Sequence, residues 1–270
     1  MSYWRPSSPS FYVIPDIHGR KHELELILKR ITPLRKYDKI IFLGDYIDRG
    51  VFSKEVIDII IDLKKSYPEQ IVTILGNHEW LMLASLGAID VHVPKEQVSP
   101  FAVWMSNGAP QTIYSYAKNK LTIDDCFNTT PNIVSKYIPS SHIDFMLDCP
   151  LFFETNDYIF VHAGCDPRKP LENQSNDVFL WDRSLFESCI INSENNLGLF
   201  WKKTVVCGHS YVGPLLLDKY YMLDGSKKNR LYCMELFSKE LYYAETDNLR
   251  LVKSDYANYQ KYKGGYSFKN

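Results

Sequence analysis

The chain has 270 residues, 45% hydrophobic and 23% charged, ordinary globular values that exclude disordered and collagen-like classes. Its 31 basic residues against 32 acidic ones leave a formal net charge of −1, so no strong basic field recommends a nucleic-acid partner. No apolar run approaches the ~18 residues of a membrane span. The opening MSYWRPSSPS lacks the apolar stretch of a secretory signal, so the expected setting is the cytosol, with no membrane partner.

The first third of the chain alternates strand-like and helix-like segments. Residues 11–14 are a short apolar run ending at Pro15-Asp16. Over 21–31, Leu24, Ile27, Leu28 and Ile31 recur at helical spacing. Residues 39–43 form a second apolar run, ending at Gly44-Asp45. Ser53 is the expected N-cap of a helix lined by Val56, Ile57, Ile60, Ile61 and Leu63. A third strand over 71–75 ends at Gly76-Asn77-His78-Glu79. Three βα units in succession predict a mostly parallel sheet with ligands at the carboxyl ends of its strands.

Residues 87–150 lack strand alternation and read as a helical segment, with helices expected over 99–105, 111–117 and 140–147 and a loop-rich stretch over 129–139. The last third is strand-rich. Residues 151–153 and 158–162 form an expected hairpin, 204–207 a strand ending at Gly208-His209, and 215–217 and 220–223 two more strands. A closing hairpin is expected over 230–236 and 240–246, and residues from 254 onward form a frayed tail or an edge strand. The division is an N-terminal tail at 1–10, one catalytic domain at 11–246, and a C-terminal tail or edge strand at 247–270.

Six scattered cysteines (Cys126, Cys149, Cys165, Cys189, Cys207 and Cys233) make neither a disulfide framework nor a CxxC zinc motif. The chemistry lies instead in polar clusters at strand ends: Asp16-Ile17-His18-Gly19, Gly44-Asp45-Tyr46-Ile47-Asp48-Arg49-Gly50, Gly76-Asn77-His78-Glu79, His162-Ala163-Gly164 and Gly208-His209. Each alone has an ordinary explanation, such as a helix cap, a turn or a structural histidine. Together they bring Asp16, His18, Asp45, Asn77, His162 and His209 toward one crevice. Imidazole nitrogens mixed with carboxylate oxygens suit borderline divalent ions, and a carboxylate has the lone pairs to bridge two of them.

As a set, these clusters resemble the signature of calcineurin-like metallophosphoesterases. The likeness is closest to their phosphoprotein phosphatase branch, of the bacterial and lambda-phage serine/threonine type. It spans residues 12–236, with lesser marks at Trp104-x-x-Asn107-Gly108, Leu180-Trp181-Asp182-Arg183 and Asp224-Gly225. The resemblance implies an α/β fold, a β-sandwich of two mixed sheets flanked by helices, in place of a single sheet. It implies two divalent ions, manganese first and iron or zinc next. Asp16 and His18 would bind the first ion, Asp45 would bridge, and Asn77, His162 and His209 would bind the second. His78 would be the general acid, oriented by Asp48. Arg49 would grip phosphate oxygens together with Arg183, for which Arg168 is the competitor.

The reaction so implied is hydrolysis of phosphomonoesters on a phosphoprotein or phosphopeptide, by direct attack of a hydroxide bridging the two ions. No cysteine lies six residues before an arginine, which excludes a phosphocysteine route. An alternative is a dinucleoside polyphosphate hydrolase of the diadenosine tetraphosphate type, although Glu79 stands where those enzymes tend to carry aspartate. A third is a catalytically dead scaffold, against which the complete set of ligand positions speaks. Pro15 before the first aspartate and Ser210 after the last histidine depart from the usual glycine and threonine, and neither supplies a ligand.

Overall fold

The computed structural model describes residues 9–91, 98–166, 168–184, 203–210, 214–217, 219–225, 229–245 and 250–254. Cys189 and residues 255–270 of the expected tail lie outside the described residues. The first strands and helices follow in the expected order: β1 (Phe11–Ile14), α1 (Lys21–Ile31), β2 (Lys39–Phe42), α2 (Ser53–Ser66), β3 (Ile71–Thr73) and α3 (Asn77–Ser85). Six more helices occupy the middle of the chain: α4 (Pro100–Ser106), α5 (Ala109–Ala117), α6 (Ile123–Phe127), α7 (Pro131–Val134), α8 (Ser140–Leu147) and, after the next hairpin, α9 (Asn176–Trp181). The remaining strands are β4 (Phe152–Glu154), β5 (Tyr158–Val161), β6 (Thr204–Cys207), β7 (Leu215–Leu217), β8 (Tyr220–Met222), β9 (Arg230–Glu235), β10 (Glu240–Glu245) and β11 (Arg250–Ser254).

The strands form two mixed sheets, a six-stranded one in the order β11-β10-β9-β1-β2-β3 and a five-stranded one in the order β4-β5-β6-β8-β7. The α/β sandwich implied by the family resemblance is therefore present, and the single parallel sheet suggested by the first third is only half of it. Each sheet holds a parallel triplet: β1, β2 and β3 at one end of the six-stranded sheet, and β5, β6 and β8 in the middle of the five-stranded one.

Alternation along the strands explains how the layers pack. On the first sheet, Val13, Ile41, Tyr232 and Met234 meet Phe160, Val206 and Tyr221 of the second sheet in the inter-sheet core. The intervening residues Ile14, Ile40, Phe42, Leu231 and Cys233 face the helices. On the second sheet, Ile159, Val161, Val205 and Met222 pack outward with Leu171 and Phe179. Strands covered on both faces read as unbroken apolar runs, which is what made them visible in the sequence.

Three local expectations shift. Ser53 opens α2 rather than capping it, Phe52 holds the cap position, and the Ser53 hydroxyl donates to the Gly50 carbonyl at 3.2 Å. The loop-rich stretch includes the short helix α7, with proline in its first turn. Ser10, assigned to the tail, is buried, and its N–H donates to Asp38 Oδ1 at 2.8 Å. Among the described residues, β11 pairs antiparallel with β10 at the edge of the six-stranded sheet. Among the described residues, no helix is long and apolar enough to cross a membrane.

Candidate metal centre

Every cluster singled out in the sequence follows the carboxyl end of a parallel strand. Asp16 and His18 follow β1, Asp45 follows β2, and Asn77 and His78 open α3 after β3. His162 follows β5, and His209 follows β6. The two parallel triplets thus deliver their loops to one edge of the sandwich, and all seven residues are buried there.

The loops are bent tightly. Seven non-glycine residues among those described have positive φ, and five belong to this edge: His18, Asp45, Asp48, Arg49 and His209, between 48° and 71°. Such backbone persists only where its surroundings fix it. Glu79 supplies much of that fixing. Its carboxylate accepts the N–H groups of Asp45 and Tyr46 at 2.8 Å, Gly76 at 3.1 Å and Ile47 at 3.2 Å. Gly44, with φ of +96°, lets the two loops touch, since a Cβ there would lie 2.6 Å from Gly76 Cα. The Asp45 carbonyl accepts the N–H groups of Ile17 and His18 at 2.9 and 2.8 Å, which ties the first loop to the second.

Donor atoms converge in two groups that share Asp45: His18, Asp45 and His78, and Asp45, His162 and His209. In the second, Asn77 Oδ1 lies 2.8 Å from His162 Nε2 and 3.1 Å from His209 Nδ1. His162 Nε2 is 3.4 Å from Asp45 Oδ1. In the first, Asp45 Oδ2 is 3.6 Å from His18 Nε2 and 3.7 Å from His78 Nε2. Asp16 borders this group, its Oδ2 3.9 Å from His18 Nε2, while its carboxylate accepts the His209 N–H at 2.9 Å. His78 Nε2 and Asp16 Oδ2 thus both lie at this group, at 3.7 Å from Asp45 and 3.9 Å from His18 respectively.

The tautomers show what these groups suit. His18 Nδ1–H donates to the Ile47 carbonyl and His162 Nδ1–H to the Leu43 carbonyl, both at 2.9 Å. Each imidazole is thereby left with an Nε2 lone pair pointing into the cluster. Burial keeps His18 well below its ordinary pKa, lowers His162, and with His162 nearby lowers His209 to about 3, so all three are neutral donors. Burial alone would raise the Asp45 carboxyl, yet it is held below the usual range, with the protonated His78 ring among the charges that face it. Burial, Asp224 and Asp45 push the Asp16 carboxyl well up. The inward Nε2 lone pairs of His18 and His162, the Asn77 amide oxygen and the Asp45 carboxylate shared by both groups make an N/O donor set that fits two divalent ions. The Arg49 guanidinium lies against the same edge, 2.9 Å from His18 Nε2 and 3.2 Å from His78 Nε2.

Beside the triads, His78 Nδ1 donates to Asp48 Oδ2 at 2.6 Å. Burial lowers the His78 pKa, yet Asp45 and Asp48 outweigh it and push it up to about 9. A proton at Nε2 conflicts with the 3.2 Å Arg49 contact. Asp48 at 2.6 Å and Asp45 at 3.7 Å together outweigh both the burial of the ring and the opposing charge of Arg49. A cleft of about 330 Å³ opens over the centre, lined by Arg49, Asn77, His78, Asn107, Trp181, Arg183 and His209. Arg183 thus borders the cleft, whereas Arg168 is 80% exposed and tied to Asp166 by a 2.9 Å hydrogen bond. Thr112 and the indole of Trp104, both against Asp48, were not assigned roles from sequence. Trp104 stood only within a motif, and a threonine inside a helix gives no signal.

A model of the calcineurin-like phosphoesterase family matches residues 9–213. A stretch of 67 residues is 45% identical to the serine/threonine-protein phosphatase PP2A-like PPG1 of Candida albicans, covering 25% of this chain and 16% of that protein. The chain spans between 16% and 25% of the length of the three curated relatives compared. The fold is similar over 94% of this chain and 97% of the other to the crystal structure of a putative diadenosine tetraphosphatase, with a TM-score of 0.56 at 15% identity. It is also similar to a protein serine/threonine phosphatase from Saccharomyces cerevisiae, over 91% of this chain and 79% of the other, with a TM-score of 0.51 at 15% identity. With the family model covering most of the chain and the strand-end clusters meeting as two His/Asp triads, this protein belongs to the calcineurin-like phosphoesterase family.

Proposed function

We propose that the protein is a metal-dependent phosphatase of the phosphoprotein phosphatase branch, acting on phosphoserine and phosphothreonine in protein substrates. Asp16, His18 and Asp45 would hold one ion, and Asp45, Asn77, His162 and His209 the other, with manganese the first choice and iron or zinc next. When bound, such ions lower the pKa of water and polarise phosphoryl oxygens. The chain's own residues do the rest. Arg49 and Arg183 take the phosphate oxygens, Arg49 exchanging its imidazole contacts for them in bidentate fashion. His78 donates its Nε2 proton to the leaving alkoxide, and Asp48 fixes the ring through Nδ1.

The observation that carries this reading is the Asp48–His78 pair at 2.6 Å, buried beside Arg49 and facing the cleft. A serine or threonine alkoxide is a poor leaving group, and a positioned acid is what such an ester requires. The 67-residue match to a serine/threonine phosphatase supports the same substrate class. The test compares turnover of a phosphoserine peptide with that of diadenosine tetraphosphate under manganese. We expect the peptide to be hydrolysed faster. Faster cleavage of the dinucleotide would replace this reading with a dinucleoside polyphosphate hydrolase, the activity ascribed to the similarly folded tetraphosphatase.

A further inference from the structure

We infer that Trp104 and Thr112, on two successive helices outside the strand-end loops, are positioning residues that clamp the Asp48 carboxylate and, through it, the His78 ring. This rests on the phosphatase reading for its kinetic consequence, though not for its geometry. Trp104 Nε1–H donates to both carboxylate oxygens of Asp48, at 3.1 Å to Oδ1 and 3.0 Å to Oδ2. The Thr112 hydroxyl donates to Oδ1 at 2.7 Å and accepts the Asp48 N–H at 2.8 Å. Ser53 Oγ, 2.9 Å from Thr112 Oγ1, closes the ring of hydroxyls. Asp48, Thr112 and Trp104 are all fully buried, so water does not compete for these bonds.

The arrangement leaves the carboxylate one free course. Oδ1 is taken by Thr112 and Trp104, and Oδ2, shared with the indole, is left to receive His78 Nδ1–H at 2.6 Å. A carboxylate with fixed donors on both oxygens cannot rotate, and an imidazole bonded to it holds its Nε2 in one direction. The same segment also grips the next residue. The Gly108 carbonyl accepts the Arg49 N–H at 3.1 Å, and a Cβ on Gly108, whose φ is +103°, would stand 2.8 Å from Arg49 N. Asp48 and Arg49 are consecutive residues with φ of 71° and 66°, and both are held from α4, α5 and the turn between them. Neither Trp104 nor Thr112 touches the cleft, so their part is to orient, not to react.

Thr112→Val removes the hydroxyl at nearly constant volume, Trp104→Phe removes the indole N–H while keeping an aromatic ring, and Thr112→Ser restores the hydroxyl. The substitutions sit on separate helices, so each tests the clamp by itself, with circular dichroism as the check on folding. In zinc-loaded full-length protein, the downfield proton resonance of His78 Nδ1–H, assigned by its loss in His78→Asn, should shift or broaden in Trp104→Phe and Thr112→Val and stay in place in Thr112→Ser. In manganese-loaded protein, kcat on a phosphoserine peptide should fall about 10–100-fold with KM nearly unchanged, within the range of a displaced general acid. The loss on para-nitrophenyl phosphate, whose leaving group needs less proton donation, should be smaller. An unmoved resonance in both folded variants would overturn the clamp. So would equal losses on the two substrates. If the wild-type protein hydrolyses neither substrate, the phosphatase reading fails, while the resonance still decides whether Trp104 and Thr112 hold the pair.

Discussion

Asp45 stands between two demands. Its Oδ1 faces His162 and its Oδ2 faces His18 and His78, so each oxygen belongs to a different triad. Asparagine offers one acceptor oxygen and one N–H₂ group, and the latter repels a cation. Asp45→Asn should therefore lose at least one bound ion by elemental analysis, with turnover down about 10²-fold or more. Two retained ions with normal turnover would refute the shared role. Glu79 acts on the backbone instead. Replacing it with glutamine turns an acceptor of four N–H groups into a group that opposes some of them with hydrogens of its own. Glu79→Gln should lower unfolding stability by about 1–3 kcal/mol, measured by urea denaturation. An unchanged midpoint would mean that the loops hold themselves.

At the level of elements, three helices are tied through one histidine. His142 on α8 accepts at Nδ1 from the Tyr116 hydroxyl of α5 at 2.8 Å, and its Nε2 is 3.0 Å from Asp58 of α2. Lys54, also on α2, bonds the other Asp58 oxygen at 2.7 Å. Burial lowers the His142 pKa from 6.5, and Asp58 offsets this only in part. The folded protein thus resists protonating a ring that the unfolded chain protonates freely below pH 6.5. This contribution is fully present above that pH and is lost as pH falls through the lowered folded value. The stability difference between wild type and His142→Asn, followed by denaturation across that range, should shrink on acidification. A difference independent of pH would remove His142 from the account.

The sequence displayed some of these elements and hid others for physical reasons. Phe11–Ile14 and Thr204–Cys207 are covered on both faces, and their unbroken apolar runs announce them. Which strand pairs with which is set over long separations, as where Thr204 lies beside Tyr158, and no local pattern records that. The donor residues were legible because each sits at a strand end. Thr112 was not, because its partner Asp48 is 64 positions away and nothing in a helix marks the pairing.

For the whole molecule, the metal centre is also a seam. Asp16, Asp45 and Asn77 hang from the six-stranded sheet, and His162 and His209 from the five-stranded one. Ions held from both sides stabilise the packed pair of sheets by mass action, about 2.7 kcal/mol per site at a hundredfold excess over Kd. Chelation with EDTA should abolish hydrolysis and lower the melting temperature, and manganese should restore both. Full activity in verified metal-free protein would exclude the proposed chemistry, and an unchanged melting temperature would deny the centre its place in the seam.

The hydrogen bond from the His209 N–H to Asp16 joins positions 193 residues apart. During synthesis at ~5–20 residues per second, His209 leaves the ribosome roughly 10–40 s after Asp16. Within that interval Asp45, Asn77 and His162 emerge in turn, before β6 and the rest of the second sheet are made. The complete set of donors therefore comes together only once β6 has been made and His209 can join the residues of the first sheet.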